Sequence, residues 1–597
     1  MKSIEKVDFN RLTEDREYRK SPEAWEEQVL YFLVVDRFAA DNEYPLYDLE
    51  KDYENALETE EKEKSWLEAS YSWNGGNLQG LINKLDYLKE LGVTAIWVSP
   101  IFKQPAFSES YHGYGIQNFL EIDPHFGNRE DLKKLVNEAH ARDIYVILDV
   151  IVNHSGDVFA YKGEPPAYED KVHEVKGFRN KAGEPDIDPE SPDKDLAWPD
   201  GGIWPEELFN LQSFSRKGYI TDWDKLPEYI EGDFFSLKNI DTGHGELNDF
   251  RASDALKVIT DCYKYWIAYA DIDGFRLDTV KHMYPGATRY FVTEIKEFAY
   301  TLGKKNFYII GEITGGMEFA KNLMEQTGLS AALGINEIPK NLEEVAKGYR
   351  KASDYFSIFT NFDLAEEDKH KWCQNNVISM FDDHDMVYQE THKERFAADK
   401  KTASLLENAI FLNLFTAGIP CMYYGTEQAF DGHGDDAHYV REAMFGGDFG
   451  AFRTQDRSFF NQEHPVYRTM STLARLRREH TELMKGRQYL REISCREEDF
   501  HYPDCDEGRC KEVIGWSRIF SQNEYLLAIN CNLKEDITVR IMIDSDLQDP
   551  GEEFICIYSS RNEFIDTTSK VQELDPENYF LEVTVPVAGQ VIYKKNS

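Results

Sequence analysis

Short apolar segments alternate with amphipathic helical patterns along most of the chain. Eight of these segments are near-continuous hydrophobic runs, which is typical of strands buried on both faces of a parallel sheet. In chain order they are YFLVVDRF beginning at Tyr31, AIWVSP ending at Pro100, YVILDV ending at Val150, GFRLDTV ending at Val280, YIIGEI ending at Ile313, AALGI ending at Ile335, VISMFDDHD ending at Asp385 and IPCMYYG ending at Gly425. Helical patterns such as LINKLDYLKELG and REDLKKLVNEAHARD lie between them.

Eight such strands with helices between them predict a (β/α)₈ TIM barrel, an α/β fold. A doubly wound sheet is the structural alternative. That fold needs a glycine-rich turn after its first strand, and DRFAADNE is not such a turn. The barrel is therefore the favoured prediction.

Two departures from the alternating pattern predict further domains. The stretch between the third and fourth strands is rich in Pro, Gly, Asp and aromatic residues, as in GEPDIDPESPDKDLAWPDGGIWPEE. Connections of that length are usually functional or fold as a small domain. After about residue 485 the pattern changes to short alternating strands, which predicts an antiparallel β-sandwich. The predicted divisions are an N-terminal extension (1–28), the first barrel part (29–154), an inserted domain (155–243), the second barrel part (244–485) and the sandwich (486–597).

The net charge of the chain limits the classes of partner that it is expected to bind. With 67 Lys and Arg against 109 Asp and Glu, the formal net charge is −42. Nucleic acids and anionic membranes need basic patches, so neither is expected as a partner, and a neutral or cationic substrate is favoured. Adaptation to a saline habitat is an alternative source of the acidity, although the abundance of Lys argues against it.

The N-terminal sequence bears on localisation. MKSIEKVDFNRLTEDREYRK is charged and lacks the apolar segment of a signal peptide. No apolar run approaches the roughly 20 residues that a membrane helix needs. We therefore expect a cytoplasmic protein.

Polar side chains follow the third, fourth, fifth and seventh predicted strands. The carboxyl ends of barrel strands form one mouth, so Asp278, Glu312 and Asp385 are expected to converge there. The other polar residues at these ends are Asp149, Asn153, His154, Arg276, Lys281, His282, Asp382, Asp383 and His384.

Paired carboxylates in one site are what cleavage of a glycosidic bond requires. One must be ionised to attack the anomeric carbon, and another must be protonated to release the leaving oxygen. Arg276, in phase with Asp278, would keep that carboxylate anionic and oriented. A lone Arg-x-Asp at a strand end is more often a structural ion pair, but four ordered motifs at four strand ends favour chemistry.

These motifs resemble those of the α-amylase family of glycoside hydrolases. GVTAIWVSP is similar to the family's second-strand motif, DVIVNH to the third, GFRLDTVKH to the fourth, GEI to the fifth and FDDHD to the seventh. LKNIDT resembles the short motif that closes the inserted domain. The resemblance extends from about Tyr31 to the terminal sandwich.

The resemblance implies a role for each matching residue. Asp278 would be the nucleophile, Glu312 the general acid/base, and Asp385 the carboxylate that binds sugar hydroxyls and distorts the ring. Tyr114, in YHGYG, would be a stacking platform with His112 beside it. The residues lining the reacting sugar would be Arg276, His154 and His384, and those facing the leaving group would be Lys281 and His282.

The chain also departs from the family pattern. Asp383 stands where Asn usually precedes the last His-Asp pair, and Gly115 stands where Trp often follows the stacking Tyr. The family's interdomain calcium site often pairs the Asn of the third-strand motif with an Asp, but here Asn153 is matched by Asn239. Ca²⁺ favours carboxylate oxygens, so this site is expected to be weak or empty, and no cofactor is expected to be required. The alternative is a carboxylate supplied by DIDPESPDKD of the acidic insert.

The sequence thus predicts a retaining α-glycosidase that hydrolyses α-glucosidic bonds in starch-like glucans or malto-oligosaccharides through a covalent glycosyl-enzyme. A transglycosylase with the same three carboxylates is one alternative. A non-catalytic barrel that binds a partner is another, but such proteins normally lose one of the carboxylates. The linkage, endo or exo action and oligomeric state stay open.

Overall fold

The computed structural model describes residues 1–49, 51–52, 57, 59–359, 375–495, 499–505 and 508–596. Eight parallel strands, labelled β1 to β8 in chain order, form a barrel. They are Leu30–Leu33, Ala95–Val98, Tyr145–Val150, Gly274–Leu277, Tyr308–Gly315, Ala331–Ile335, Ile378–Ser379 and Ile419–Tyr423. Neighbours run in the order β6-β5-β4-β3-β2-β1-β8-β7, and a parallel bridge from Ala332 to Val377 joins the two ends. The predicted TIM barrel is confirmed.

Helices surround the barrel and cover its outer face. Their principal members are Leu78–Asn83, Leu85–Leu91, Arg129–His140, Asp254–Ala270, Pro285–Thr301, Met317–Thr327, Glu337–Ala346, Leu406–Phe415 and Pro465–Glu479. Local sequence sets where they begin: Asn128 forms a capping box with Asp131, and the Ser253 side chain accepts from the Leu256 N–H. Capped amphipathic helices bury their apolar face against strands whose residues are almost all buried.

The seventh strand is shorter than its apolar run suggests. Only Ile378–Ser379 pairs with β8, and the chain leaves the sheet before the acidic FDDHD segment. Side chains of this segment line the barrel mouth. Ionised side chains can find polar partners there, whereas a strand buried on both faces would surround them with apolar groups.

The segment after β3 forms a separate unit over the carboxyl ends of the strands. A short antiparallel pair, His154–Ser155 with Lys238–Asn239, lies where this unit leaves and rejoins the barrel. Inside it, Phe159–Tyr161 pairs with Val175–Phe178, and aromatic side chains fill the space beside that hairpin. We call residues 155–243 the insert.

The C-terminal region is an antiparallel sandwich, as predicted. One sheet has the order Arg487–Leu490, Val513–Phe520, Asn523–Asn530, Gln590–Lys595, Glu553–Ser559, Thr568–Lys570, and the other the order Ile493–Ser494, Ile537–Ile543, Asn578–Val585, Gln572–Asp575. A hydrophobic cluster that includes Leu526, Ile541, Phe554 and Leu581 lies between them. No helix in the described part of the chain is long and apolar enough to cross a membrane.

A buried ion cluster lies at the opposite end of the barrel from the mouth. Lys304, fully buried, places its ammonium 2.7 Å from Asp271 and 2.8 Å from Asp273. Asp273 also accepts from the Val146 N–H, and His140 lies 2.8 Å from it. Burial alone would raise the pKa of Asp273, but Lys304 and His140 outweigh it and hold that pKa below its ordinary value. The cluster ties β4 to β3 and to the loop before β5.

We expect Lys304→Met to lower the free energy of unfolding by about 3–5 kcal/mol, because it leaves buried carboxylates without their cation. Denaturant unfolding of the full chain measures this loss. Lys305→Met is the matched control, because its side chain is exposed, and it should change stability by less than about 0.5 kcal/mol. Equal effects of the two substitutions would contradict a stabilising cluster.

Candidate active site

A cleft of ≈ 550 Å³ lies at the carboxyl ends of the strands, between the barrel and the insert. Strand β5 contributes Glu312, the segments that follow β4 and β7 contribute Asp278 and Asp385, and the insert contributes aromatic side chains. The lining residues include Tyr114, His154, Trp223, Phe234, Asp278, Lys281, His282, Glu312 and Asp385. Residues from six separate stretches of sequence therefore meet at one mouth.

Arg276 is the centre of the polar network beneath the cleft. Its Nη1 lies 3.0 Å from Asp149 Oδ1 and 2.6 Å from Asp278 Oδ1, and its Nη2 lies 3.0 Å from Glu312 Oε2. The guanidinium is 1% exposed and packs over the ring of Trp97. One cation thus orients three carboxyl groups.

One buried cation cannot neutralise three ionised carboxylates, so their proton affinities rise. Burial, with Asp278 and Asp385 nearby, raises the pKa of Glu312 to about 7 despite Arg276. Burial also raises the pKa of Asp278 to about 6, although Arg276 opposes the shift. Arg276 thus orients Asp278 as predicted, but it does not hold the pKa of that carboxyl at its ordinary value. Of the three carboxyl groups that Arg276 contacts, Glu312 most readily keeps a proton near neutral pH.

The backbone after Asp278 also holds Glu312. Thr279 has a left-handed φ of 49°, which is uncommon for a β-branched residue. In this conformation its N–H donates to Glu312 Oε2 at 2.9 Å. Strained backbone of this kind is typical of functional sites, where surrounding structure maintains it.

Asp385 is held on the other side of the cleft. Arg441 donates to Asp385 Oδ1 at 2.5 Å and to the His384 carbonyl at 2.8 Å, and Tyr111 lies 3.3 Å from the same guanidinium. Burial would raise the pKa of Asp385, but contact with His384 and the Arg441 ion pair hold it well below the ordinary value. Asp385 therefore stays anionic.

Tyr114 lies next to two histidines. The plane of its ring is inclined by 15° to that of His384 and by 26° to that of His112, with centroids 5.5 Å and 5.7 Å away. Its hydroxyl donates to Asp149 Oδ2 at 2.9 Å and lies 2.9 Å from His384 Nε2. The ring is therefore fixed in orientation at the cleft wall, a position suited to the predicted stacking role.

The remaining predicted sugar-binding residues differ in whether their polar groups already have partners within the protein. Neither ring nitrogen of buried His154 has a hydrogen-bond partner among the described residues, so both remain for a ligand. His282 Nδ1 lies 2.7 Å from the Tyr229 carbonyl, and Lys281 is paired at 2.7 Å with Asp224 of the insert. These two face the insert side of the cleft and each already has a partner, so their role at the leaving group stays a prediction.

The two predicted calcium ligands contact each other. Asn239 Nδ2 lies 3.3 Å from Asn153 Oδ1 at the junction of the barrel and the insert. None of the described residues form a group of three or more His, Cys, Asp or Glu that could hold a metal ion.

Several residues of the network were not assigned a role from the sequence. Asp149 appears there only as a polar strand residue, yet it bonds to Arg276, Tyr114 and Trp97. Arg441 lies in a loop after β8, with no strand-end pattern to mark it. The only signal for it in the sequence is that the acidic FDDHD segment needs a positive charge nearby.

Comparison with known proteins gives the family. The model of the α-amylase catalytic domain matches residues 50–458. An α-amylase of Streptomyces lividans is 30% identical over 70% of this chain, which spans about half (48%) of that relative's length. A cyclomaltodextrin glucanotransferase of Thermoanaerobacterium thermosulfurigenes is 26% identical over 86% of the chain and 60% of its own length.

Solved structures agree on the architecture. An Anoxybacillus α-amylase matches with a TM-score of 0.65 over 96% of this chain and 99% of its own, at 23% identity. The fold, the ordered motifs and the matched catalytic domain lead to one conclusion: the chain belongs to the α-amylase family of glycoside hydrolases.

Proposed function

We propose that this protein cleaves α-glucosidic bonds in neutral α-glucans with retention of configuration. The observation that carries the proposal is that one guanidinium, Arg276, holds both Asp278 and Glu312 in the cleft. The family and its amylase relatives support the substrate class. A cleft lined by aromatic rings and unpaired imidazole nitrogens suits a neutral, hydroxyl-rich ligand.

In the first step, Asp278 attacks the anomeric carbon while Glu312 gives its proton to the leaving oxygen. This forms a covalent glycosyl-enzyme and releases the remainder of the glucan. Glu312, now a carboxylate, takes a proton from the incoming hydroxyl, which attacks the same carbon and frees Asp278. Asp385 and His154 bind hydroxyls of the reacting sugar, and Tyr114 stacks on its ring.

The identity of the incoming hydroxyl decides between hydrolysis and transfer. Trp223, Phe234 and exposed Phe235 pack together in the insert, on the side of the cleft that we propose for the leaving group. Such rings would bind a sugar acceptor as readily as a leaving group, which makes transglycosylation the second candidate. We propose hydrolysis as the main reaction, because water needs no site of its own.

Product profiles on starch, maltotriose, pullulan, sucrose and trehalose test the proposal. Hydrolysis gives reducing sugars from at least one of these substrates, whereas transfer gives products longer than the substrate or cyclic products. A folded protein that leaves all five unchanged would contradict activity on α-glucans and would favour the non-catalytic alternative.

Asp278→Asn, Glu312→Gln and Asp385→Asn should each lower kcat by about three orders of magnitude or more, because each removes a group that acts in the transition state. Initial rates on the best substrate measure the loss, and unchanged circular dichroism and melting show that the fold is kept. Asp546→Asn, an exposed change in the sandwich, is the control. Near-normal turnover in one of the three would remove that residue from the mechanism.

The first product should have the α configuration, because two inversions restore that of the substrate. Proton NMR during the first seconds to minutes of the reaction distinguishes the α-anomer from the β-anomer before mutarotation. A β-anomer as the first product would show direct attack by water and would rule out Asp278 as a nucleophile.

Asp383 should shift the alkaline limit of activity, which loss of the Glu312 proton sets. Its Oδ1 accepts from the backbone N–H groups of Asp385 and Met386, which Asn could also satisfy, so Asp383→Asn removes only the charge. Burial and nearby Asp385 raise the pKa of Asp383 to about 6, so it is ionised at neutral pH and raises the proton affinity of Glu312. Removing that charge should move the alkaline limb of kcat/KM to lower pH by about half a unit.

The pH profile of kcat/KM measures the shift. Activity of the unsubstituted protein should rise as Asp278 ionises near pH 6 and fall as Glu312 loses its proton near pH 7. Asp549→Asn removes the same charge from an exposed site in the sandwich and should leave the profile unchanged. A limb that stays in place or moves to higher pH in Asp383→Asn contradicts the assignment.

A further inference from the structure

The junction between the barrel and the insert is closed by an amide group. Asn239 Nδ2 donates to Asn153 Oδ1 at 3.3 Å and to the Ile230 carbonyl at 3.0 Å. A backbone carbonyl can only accept, so Ile230 fixes which end of the Asn239 amide faces this point. Asn239 thus presents N–H groups to Asn153, whereas a calcium ligand must present oxygen lone pairs.

An ammonium group lies in the same strand pair. Lys238 Nζ is 3.1 Å from Asp157 Oδ1 and 3.9 Å from Asp233 Oδ2, and its side chain is only 6% exposed. The rings of Phe159 and Tyr161 lie 5.2 Å and 5.3 Å from the same nitrogen. A buried cation held in this way is costly to remove without leaving its carboxylates unpaired.

The two carboxylates beside Lys238 are already occupied by groups of this chain. Asp157 Oδ2 pairs with Arg179 at 2.9 Å. Asp233 accepts from the Asn239 N–H at 2.9 Å and from the Tyr161 hydroxyl at 2.7 Å. Calcium takes 6–8 oxygen ligands, several of them charged, and these donors do not fit that requirement.

We propose that the Asn239 amide and the Lys238 ammonium together replace a metal ion at this junction. The amide joins Asn153 Oδ1 to the Ile230 carbonyl, and the ammonium balances the charge of Asp157 and Asp233. The consequence is an insert whose attachment to the barrel does not depend on calcium. This inference concerns the stability of the junction, so it stands or falls separately from the proposed reaction.

The junction also determines where the cleft wall lies. Asn239 pairs with His154 in the strand ladder, and Tyr229, next to Ile230, accepts from His282 Nδ1. Both histidines on the insert side of the cleft are therefore attached to the segment that Asn239 and Lys238 hold.

Thermal melting of the full chain with and without a calcium chelator tests the proposal. The protein is first incubated with excess EGTA and dialysed, and calcium or magnesium is then titrated back. We expect melting temperatures that agree within about 1 °C, since a ligand absent from the native state adds no stability. A loss of several degrees in EGTA, reversed by calcium but not by magnesium, would overturn the proposal.

Two substitutions test the two groups separately. Lys238→Met should lower the melting temperature by several degrees, whereas Lys176→Met, an exposed lysine of the same insert, should leave it nearly unchanged. Equal changes in melting temperature for the two substitutions would show that Lys238 does not stabilise the junction. Lys238→Arg keeps the charge and should restore most of the stability.

Asn239→Asp converts the donor into a carboxylate beside Asn153 Oδ1 and the Ile230 carbonyl. Combined with Lys238→Met, which removes the competing ammonium, this change should give a calcium-dependent rise in melting temperature that the unsubstituted protein lacks. A variant that folds but shows no response to millimolar calcium would show that Asn239 does not occupy the position of a metal.

Discussion

The arrangement of the site depends on one guanidinium that is shared by three carboxyl groups. Arg276 is buried, and its contacts with Asp149, Asp278 and Glu312 bring the ends of β3, β4 and β5 to one point. Because a single positive charge cannot neutralise three anions in a buried site, at least one carboxyl keeps a proton more easily than it would in water. The same constraint therefore positions Asp278, the proposed nucleophile, and raises the pKa of Glu312, the proposed acid, to about 7.

The insert is attached by the same principle of internal charge balance. At its base, Lys238 lies between Asp157 and Asp233, and at the barrel floor Lys304 lies between Asp271 and Asp273. In each case a buried cation pairs with two carboxylates, at least one of them from another segment, so the geometry is specified at the cost of desolvating the ions. Both cations lie where segments meet, in a chain whose net charge is −42.

The sequence predicted the barrel because eight apolar runs and their intervening helices are local signals. It predicted that Asp278, Glu312 and Asp385 converge because strand ends in a barrel share one mouth. The sequence could not show the ion pairs of Arg441 with Asp385 and of Lys281 with Asp224, because those contacts join segments far apart in the chain. It also predicted that Arg276 would dominate the ionisation of Asp278, whereas burial, which depends on the whole fold, outweighs it.

On the insert side, the cleft wall is held more firmly at its base than at its rim. This difference concerns the choice between water and a sugar as the proposed acceptor. At the base, the Asn239 amide and the Lys238 ammonium are buried among fixed partners. At the rim, Lys281 reaches Asp224, whose side chain is 87% exposed, and pairs of that kind contribute only about 0–1 kcal/mol. Lys281 is therefore held less firmly at the rim than His154 and His282 are at the base. Under the proposed reaction, we expect the choice between water and a sugar acceptor to depend on the aromatic side chains of the insert rather than on the carboxylates beneath them.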